Sequence, residues 1–144
     1  MKNNLKSDRG FTLIEILVVV SIIGILSSIL LVGLGGFRSR GRDARRLADL
    51  RQAQNGLELY YSKNANYPFT AAWSAVETEL KNANIGVSKL ANDPQAGKTY
   101  TYASNGQSYV LMAVLEEDSP ATNEVNGNIL GVDCDTPKNY CIQF

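Results

Sequence analysis

The first long feature of the chain is an almost continuous apolar run over residues 11–37. As a helix that rises about 1.5 Å per residue, it extends for about 40 Å, whereas a bilayer core needs about 20 apolar residues. The run therefore predicts a helix long enough to span a membrane. Its one charged side chain is Glu15. Because a carboxylate at the centre of a bilayer costs about 2.5–3.5 kcal/mol, its presence indicates a function.

Apolar residues recur at helical spacing beyond this run. They form a stripe with intervals of three and four residues, broken by one glutamine. The stripe consists of Leu47, Leu50, Gln54, Leu57 and Tyr61. A single helix is thus predicted over about residues 12–62, with its end set by Asn64, Asn66 and Pro68. The second half of this helix is expected to lay one face on a globular domain.

A second, shorter helix is predicted after the long one. Ser74 and Glu77 have the spacing of a capping box, which predicts a helix over about residues 75–84, closed near Gly86. The stretch Asp93–Gly97 contains a proline and a glycine and therefore indicates a turn.

The remaining pattern predicts antiparallel strands. Two β-rich runs, 99–102 and 108–115, flank Asn105-Gly106, and an Asn-Gly pair between such runs is a strong hairpin signal. A third strand is expected over about residues 140–143. The predicted fold class is therefore α+β, with a long N-terminal helix packed on a small antiparallel sheet.

The composition excludes several classes of function. The chain has 14 basic and 14 acidic residues, and residues 11–144 alone have 11 and 13, a net charge of −2 that gives no general attraction to nucleic acid. The absence of histidine from the sequence excludes histidine-based catalytic triads and most catalytic zinc sites. The sequence also contains no P-loop and no dinucleotide-binding fingerprint. We therefore expect a protein that is not an enzyme.

Five arginines and one aspartate crowd into residues 38–46. We expect this stretch to be a solvated helix turn that contacts lipid headgroups. Contacts with acidic groups of neighbouring subunits, or DNA binding, are the functional alternatives. Because positive charge flanks both ends of the apolar run, the positive-inside rule does not set the orientation of the segment.

The junction over residues 9–15, Arg-Gly-Phe-Thr-Leu-Ile-Glu, resembles the prepilin cleavage site of type IV pilins and type II secretion pseudopilins. The resemblance implies that a prepilin peptidase cuts after Gly10 and methylates the new N-terminal residue, Phe11. It also places Glu15 at the family's glutamate position. In a bundle of such helices, Glu15 of one subunit would neutralise the α-amine of its neighbour, so that two groups costly in an apolar core satisfy each other.

The same resemblance implies three segments. Residues 1–10 would be the leader, residues 11–37 a transmembrane and filament-core helix, and residues 38–144 a globular pilin domain that includes the second half of the long helix, in a lollipop shape. Asn66-Tyr67-Pro68 and the Asp93-Pro94 turn are also similar to those of the major pseudopilin of type II systems.

The implied function is that of a structural filament subunit. Its partners would be other pilin subunits, the prepilin peptidase, the inner-membrane assembly platform and the membrane. The N-terminus would lie in the cytoplasm, and the filament would be periplasmic or extracellular. Two alternatives stay open: a DNA- or surface-binding minor pilin of a competence or adhesion filament, and a plain membrane-anchored extracellular domain in which Gly10 is uncut and Glu15 is dispensable.

Two cysteines, Cys134 and Cys141, lie close together near the C-terminus. Such a pair alone is a poor zinc site, because two further ligands would have to be carboxylates. A disulfide is favoured, and it would imply an oxidising compartment. The pair also resembles the C-terminal disulfide loop of many pilins.

Acidic residues gather in the same region: Glu116, Glu117, Asp118, Glu124, Asp133 and Asp135. The major pseudopilins of type II systems bind calcium in their C-terminal loops, and this resemblance makes Asp118, Asp133 and Asp135 the calcium candidates. The spacing does not match an EF-hand, and a solvated acidic loop is the alternative. No other cofactor is expected.

Overall fold

The computed structural model describes residues 10–123 and 125–144, so the leader prediction for residues 1–9 lies outside the described residues. The chain divides into two compact units, of which the first ends at Phe37 and the second comprises Arg38–Phe144. Helix α1, Leu13–Asn64, begins in the first unit and ends in the second. It confirms the helix predicted over residues 12–62.

In the first unit, α1 presents its apolar side chains to the outside. All the large apolar side chains between Phe11 and Ile29 are exposed. Among the residues that the structure describes, no helix is both long enough and apolar enough to cross a membrane. The membrane span predicted over residues 11–37 stays a prediction.

The second unit adds a short helix and a small sheet to α1. The elements are α2 (Trp73–Asn82), β1 (Thr101–Ser104), β2 (Tyr109–Val114), a 3-10 turn (Pro120–Asn123), β3 (Asn128–Ile129), β4 (Val132–Asp133) and β5 (Asn139–Gln143). β1, β2 and β5 form an antiparallel sheet with β2 in the middle, and β3 pairs with β4. The α+β fold with a helix on a small antiparallel sheet is therefore confirmed, whereas the pair β3–β4 was not predicted.

β1 and β2 form the predicted hairpin. Its turn spans residues 105–108, where the Asn105 side chain accepts hydrogen bonds from the N–H groups of Gln107 and Ser108 at 3.0 and 2.8 Å. Gly106 has a φ of 88°, a conformation that favours glycine. β1 begins two residues later than the predicted run 99–102, because its pairing with β2 starts only at Thr101.

The capping box predicted at Ser74 and Glu77 is wrong. α2 begins at Trp73, and its N-cap is Ala72, which makes no side-chain capping bond. Ser74 thus lies inside the helix, and the Glu77 carboxylate binds Lys81 one turn later instead of reaching back. The apolar face of α2, rather than a cap, decides where the helix lies.

The core of the second unit lies between α1, α2 and one face of the sheet. The predicted stripe on α1 supplies part of it, since Leu50 and Leu57 are fully buried and Leu47 and Tyr61 pack against them. The other fully or almost fully buried apolar residues are Ala53, Tyr67, Trp73, Val76, Leu80, Leu90, Tyr100, Tyr102, Tyr109, Leu111, Ala113, Leu115 and Tyr140. This core fixes α1 on the sheet and thereby positions the charged cluster described below.

Candidate functional site

The predicted cleavage site lies just before α1. Gly10 and Phe11 precede the first helical residue, Leu13, and Phe11 is 83% exposed. The peptide bond between Gly10 and Phe11 is therefore outside the helical hydrogen-bond ladder and open to an enzyme.

Thr12 and Glu15 form a capping box at the start of α1. The Glu15 N–H donates to Thr12 Oγ1 at 3.3 Å, and Glu15 Oε2 accepts from both the N–H and the hydroxyl of Thr12 at 2.9 Å. This is the reciprocal pattern of Ser/Thr-x-x-Glu boxes. The spacing of Thr12 and Glu15 matches this box, so the carboxylate has a role within its own helix besides the predicted one towards another subunit.

The Glu15 carboxylate retains an open oxygen. Both bonds from Thr12 go to Oε2, so Oε1 has no hydrogen-bond partner among the described residues. The carboxylate shares an exposed groove of about 360 Å³ with Phe11, Ile14, Val18 and Val19. A carboxylate surrounded by apolar side chains can form an ion pair with a positively charged amine on another apolar segment.

A second charged site, centred on Arg46, lies in the globular unit. The Arg46 side chain is completely buried, and its guanidinium binds three carboxylates. Two parallel bonds of 2.8 and 2.9 Å reach Asp93, and Nη1 lies 2.7 Å from Asp43 and 2.9 Å from Glu116. Bidentate pairs of this kind are among the stronger hydrogen bonds in proteins. Arg46 thus joins α1 to the turn before the sheet and to the segment after β2.

This cluster corrects the prediction of a solvated turn over residues 38–46. Arg46 is buried, and Arg42 binds Glu116 through two bonds of 2.7 and 2.5 Å. Arg38, Arg40 and Arg45 are exposed as predicted. The physical reason for the difference is long-range charge pairing: the partner carboxylates lie 47 and 70 residues away from Arg46, which helical periodicity does not reveal.

The cluster shifts the pKa values of its members. Burial alone would raise the pKa of the Asp93 carboxyl, but the Arg46 guanidinium and the N–H of Gln95 outweigh it and hold that pKa below its ordinary value. Hydrogen bonds from Arg42 and Arg46 lower the pKa of Glu116 to about 2. The hydrogen bond to Asp93 raises the pKa of Arg46 against the effect of burial. Each shift favours the charged form.

These shifts predict an acid-sensitive fold. A carboxyl whose pKa is lower in the folded chain contributes stability above its unfolded pKa, about 3.9 for Asp and 4.3 for Glu, and loses it as the pH falls towards the folded value. We therefore expect the urea midpoint, followed by the fluorescence of the single tryptophan Trp73, to fall between pH 5 and pH 2. Arg46→Met should flatten this dependence, and an equally steep fall in that variant would contradict the assignment.

Asp43 fixes the backbone that follows β2. Its carboxylate accepts hydrogen bonds from the N–H groups of Glu116, at 3.0 and 3.1 Å, and of Glu117, at 3.0 Å. Ser39 donates to Glu117 Oε1 at 2.7 Å, and Lys138 donates to the Glu116 carbonyl at 2.7 Å. The segment after β2 is thus held both by α1 and by Lys138, the residue before β5.

Five of the seven tyrosines are buried in the core: Tyr67, Tyr100, Tyr102, Tyr109 and Tyr140. The hydroxyls of Tyr67 and Tyr109 both donate to Glu58 on α1, the latter at 2.8 Å. Burial raises the pKa of Tyr109, and its hydrogen bond to Glu58 adds to the effect. Burial also raises the pKa of Tyr102 to about 12. The Tyr109 hydroxyl thus attaches β2 to α1, whereas the Tyr102 hydroxyl donates to the Pro68 carbonyl at 3.0 Å.

The structure contains the disulfide that the sequence favoured. Cys134, which follows β4, is bonded to Cys141 in β5, with their Cα atoms 6.0 Å apart. Both cysteines are buried with Val110 and Val132 in a small second cluster. The bond therefore joins the two-stranded sheet to the three-stranded one.

The three calcium candidates are not brought together as one set. Asp118 and Asp135 line a common cavity of about 460 Å³, and Asp133 is not among its lining residues. Asp133 instead accepts hydrogen bonds from Asp135 and Thr136 on its own loop. Among the residues described, no three acidic or cysteine side chains are grouped to hold a metal ion. Glu124 lies outside the described residues, and calcium binding stays a prediction.

Comparison with known proteins gives one family match and several relatives. The family described as the prokaryotic N-terminal methylation motif matches residues 5–31. This region contains the Gly10–Phe11 bond and the Thr12–Glu15 capping box.

The relatives are similar over much longer stretches. The chain is 31% identical over 136 residues to the type II secretion system core protein G of Vibrio cholerae, covering 88% of this chain and 92% of the relative. It is 36% identical over 111 residues to the protein of that name from Aeromonas hydrophila, covering 71% and 77%. It is 38% identical over 83 residues to the type IV wide pilus major component PilA4 of Thermus thermophilus, covering 58% and 63%. No solved structure gives a significant match.

Proposed function

The chain belongs to the family of type IV pilins and type II secretion pseudopilins, and from this premise we propose that it builds the pseudopilus of a type II secretion system. We choose a secretion system over a pilus because the similarity covers more of the length of the secretion-system relative. Core protein G of Vibrio cholerae is matched over 92% of its length, whereas the pilus component of Thermus thermophilus is matched over 63%. The role itself is structural, as it is for the relatives.

The first step of this function is the removal of the leader between Gly10 and Phe11. The exposed, non-helical position of these residues before α1 supports the proposal. Cleavage creates an α-amine that is positively charged at neutral pH, since its ordinary pKa is about 7.7–8.0. Methylation of the Phe11 nitrogen keeps that charge.

The second step is assembly through the apolar part of α1. The amine on Phe11 of an incoming subunit meets the Glu15 carboxylate of a neighbour, whose Oε1 is open and whose surroundings are apolar. The N-terminus lies in the cytoplasm before assembly, the apolar segment lies in the membrane, and an inner-membrane platform adds subunits to a periplasmic filament. The family resemblance supports each of these placements, and the open Oε1 atom of Glu15 supports the contact.

The mass of the mature N-terminus tests this proposal. In cells with an active prepilin peptidase, mass spectrometry of the purified chain should find residues 11–144 with one methyl group on the Phe11 nitrogen. Gly10→Val should leave residues 1–10 attached, because the peptidase must accept a residue with almost no side chain before Phe11. A wild-type chain that still begins at Met1 in such cells would contradict the proposed function.

A further inference from the structure

Lys138, the residue before β5, has a backbone conformation that is unusual for a lysine. Its φ is 74°, in the left-handed region that glycine and asparagine adopt most readily. A residue with a long side chain is disfavoured there, because its Cβ atom comes too close to the following carbonyl oxygen. Glycine would suit this backbone better, so the presence of lysine indicates that the side chain has a role.

The side chain of Lys138 binds the segment that follows β2. Its ammonium group donates a hydrogen bond to the Glu116 carbonyl at 2.7 Å. The Lys138 carbonyl accepts a second bond from the N–H of Leu115, also at 2.7 Å. A hydrogen bond from a charged donor is roughly twice as strong as one between neutral groups. Lys138 therefore attaches the loop before β5 to the end of β2 twice, once through its backbone and once through its charge.

The oxygen atoms around Lys138 do not form a calcium site. Calcium takes about six to eight oxygen ligands. One oxygen of the Asp133 carboxylate accepts from the N–H groups of Asp135 and Thr136 at 2.9 and 3.3 Å, and the other accepts from the Thr136 hydroxyl. Asp135 Oδ1 accepts from the N–H of Gly127 at 2.7 Å. These acceptors already have donors from the protein, so they do not fit a cation.

The cavity beside this loop already contains a positive group. Among the described residues that line it, the charged ones are Asp118, Asp135 and Lys138. The ammonium group offsets part of the negative charge of the two carboxylates, and it would repel a divalent cation placed between them. Both the donors and the charge of this region thus disagree with the calcium site that the family resemblance implied.

From these observations we infer that the ammonium group of Lys138 has the structural role that a bound calcium ion has in a metal-dependent loop. It joins the loop before β5 to the segment after β2, and the loop closes without a divalent ion. The inference goes beyond the proposed function and does not rest on it, because it concerns how a single chain holds its C-terminal residues.

The rate at which dithiothreitol reduces the disulfide measures how firmly this loop is closed. Cys134 and Cys141 lie on either side of Lys138 and are 1% and 2% exposed, so the reductant reaches them only when the loop opens locally. The rate is read by alkylating the free thiols of the detergent-solubilised full chain and weighing the product by mass spectrometry.

Lys138→Asn should be reduced about tenfold faster than the wild-type chain. Asparagine tolerates the left-handed backbone but lacks the ammonium group, so the variant removes the charged bond to Glu116 without adding backbone strain. A rate equal to that of the wild-type chain would overturn the inference, because the side chain would then contribute nothing to closure of the loop.

Leu130→Asn is the matched control. Leu130 also has a positive φ, 52°, in the turn between β3 and β4, and the same substitution there removes no charge. Its reduction rate should stay within about twofold of wild type, as is usual for an exposed position. An increase as large as that of Lys138→Asn would overturn the inference, since the effect would then belong to asparagine in any turn.

The wild-type chain tests calcium independence without any substitution. Its reduction rate should agree within about twofold between an excess of the chelator EGTA and about 5 mM calcium chloride, which exceeds the Kd of weak extracellular calcium sites. A rate at least about fivefold lower with calcium would overturn the inference, because a bound metal would then hold the loop closed. Neither result bears on the proposed function, which the mass of the mature N-terminus tests separately.

Discussion

Replacement of Arg46 by methionine is expected to lower the free energy of unfolding by about 3–5 kcal/mol, the usual cost of removing one partner from a buried ion pair. Small domains have a total stability of about 5–15 kcal/mol, so the variant should be unfolded in a substantial fraction of molecules under mild denaturing conditions. Among the described residues, no other side chain makes three ion pairs.

The cost arises from the carboxylates that remain. The Asp93 side chain is 2% exposed and that of Asp43 is 11% exposed, so neither regains full hydration when the guanidinium is lost. Methionine fills part of the volume but donates no hydrogen bond. The chain must then either bury unpaired charge, which costs free energy, or release the turn at Asp93, which separates that turn from α1.

The urea midpoint, read from Trp73 fluorescence of the detergent-solubilised full chain, measures this effect. Arg45→Met is the matched control, because it makes the same change one residue earlier. The Arg45 side chain is 59% exposed, and its only ion pair with a described residue, Asp49, is 3.7 Å long, so the control should change stability by about 0–1 kcal/mol. Equal midpoints for the two variants would mean that the buried cluster adds nothing to stability.

The contrast between Arg45 and Arg46 also marks the limit of inference from sequence. Both belong to the same run of arginines, but Arg46 lies four residues before Leu50, on the buried face of α1. Helical spacing indicates which face of α1 is buried, as Leu50 and Leu57 confirm, but it does not indicate that a charge can join that face. Only the fold brings Asp93 and Glu116 to Arg46, and those contacts are set by how the turn and the sheet pack.

A local sequence signal predicted the structure correctly where tertiary packing did not compete with it. The Asn105-Gly106 turn was predictable, because few other residues accept its backbone geometry. Two Ser/Thr-x-x-Glu sequences gave opposite results: Thr12 and Glu15, which were not predicted as a capping box, form one, whereas Ser74 lies inside α2. At Ser74 the buried side chain of Trp73 extends the helix by packing. The N-terminal box meets no such competition from the described residues.

Replacement of Glu15 by alanine is expected to abolish filament assembly while leaving membrane insertion and leader removal largely intact. Removing a charge from an apolar segment does not hinder insertion, and the scissile bond lies between Gly10 and Phe11. An incoming α-amine without its carboxylate is an uncompensated buried charge, at a cost of about 3–5 kcal/mol. Since each 1.4 kcal/mol is a factor of about ten, sheared filament should fall by at least about a hundredfold relative to processed subunit.

The capping box makes glutamine the more informative substitution at this position. Glu15→Ala removes both the charge and the cap, so loss of filament alone does not separate an assembly role from a weaker helix start. Glutamine also closes capping boxes, and it therefore keeps the bonds to Thr12 while it removes the charge. We expect Glu15→Gln to lose assembly nearly as completely as Glu15→Ala. Ser21→Ala, which deletes a hydroxyl bonded to the Leu17 carbonyl at 2.8 Å on the same helix, should assemble normally. If Glu15→Gln assembles like wild type, the carboxylate serves the helix and not the neighbouring subunit.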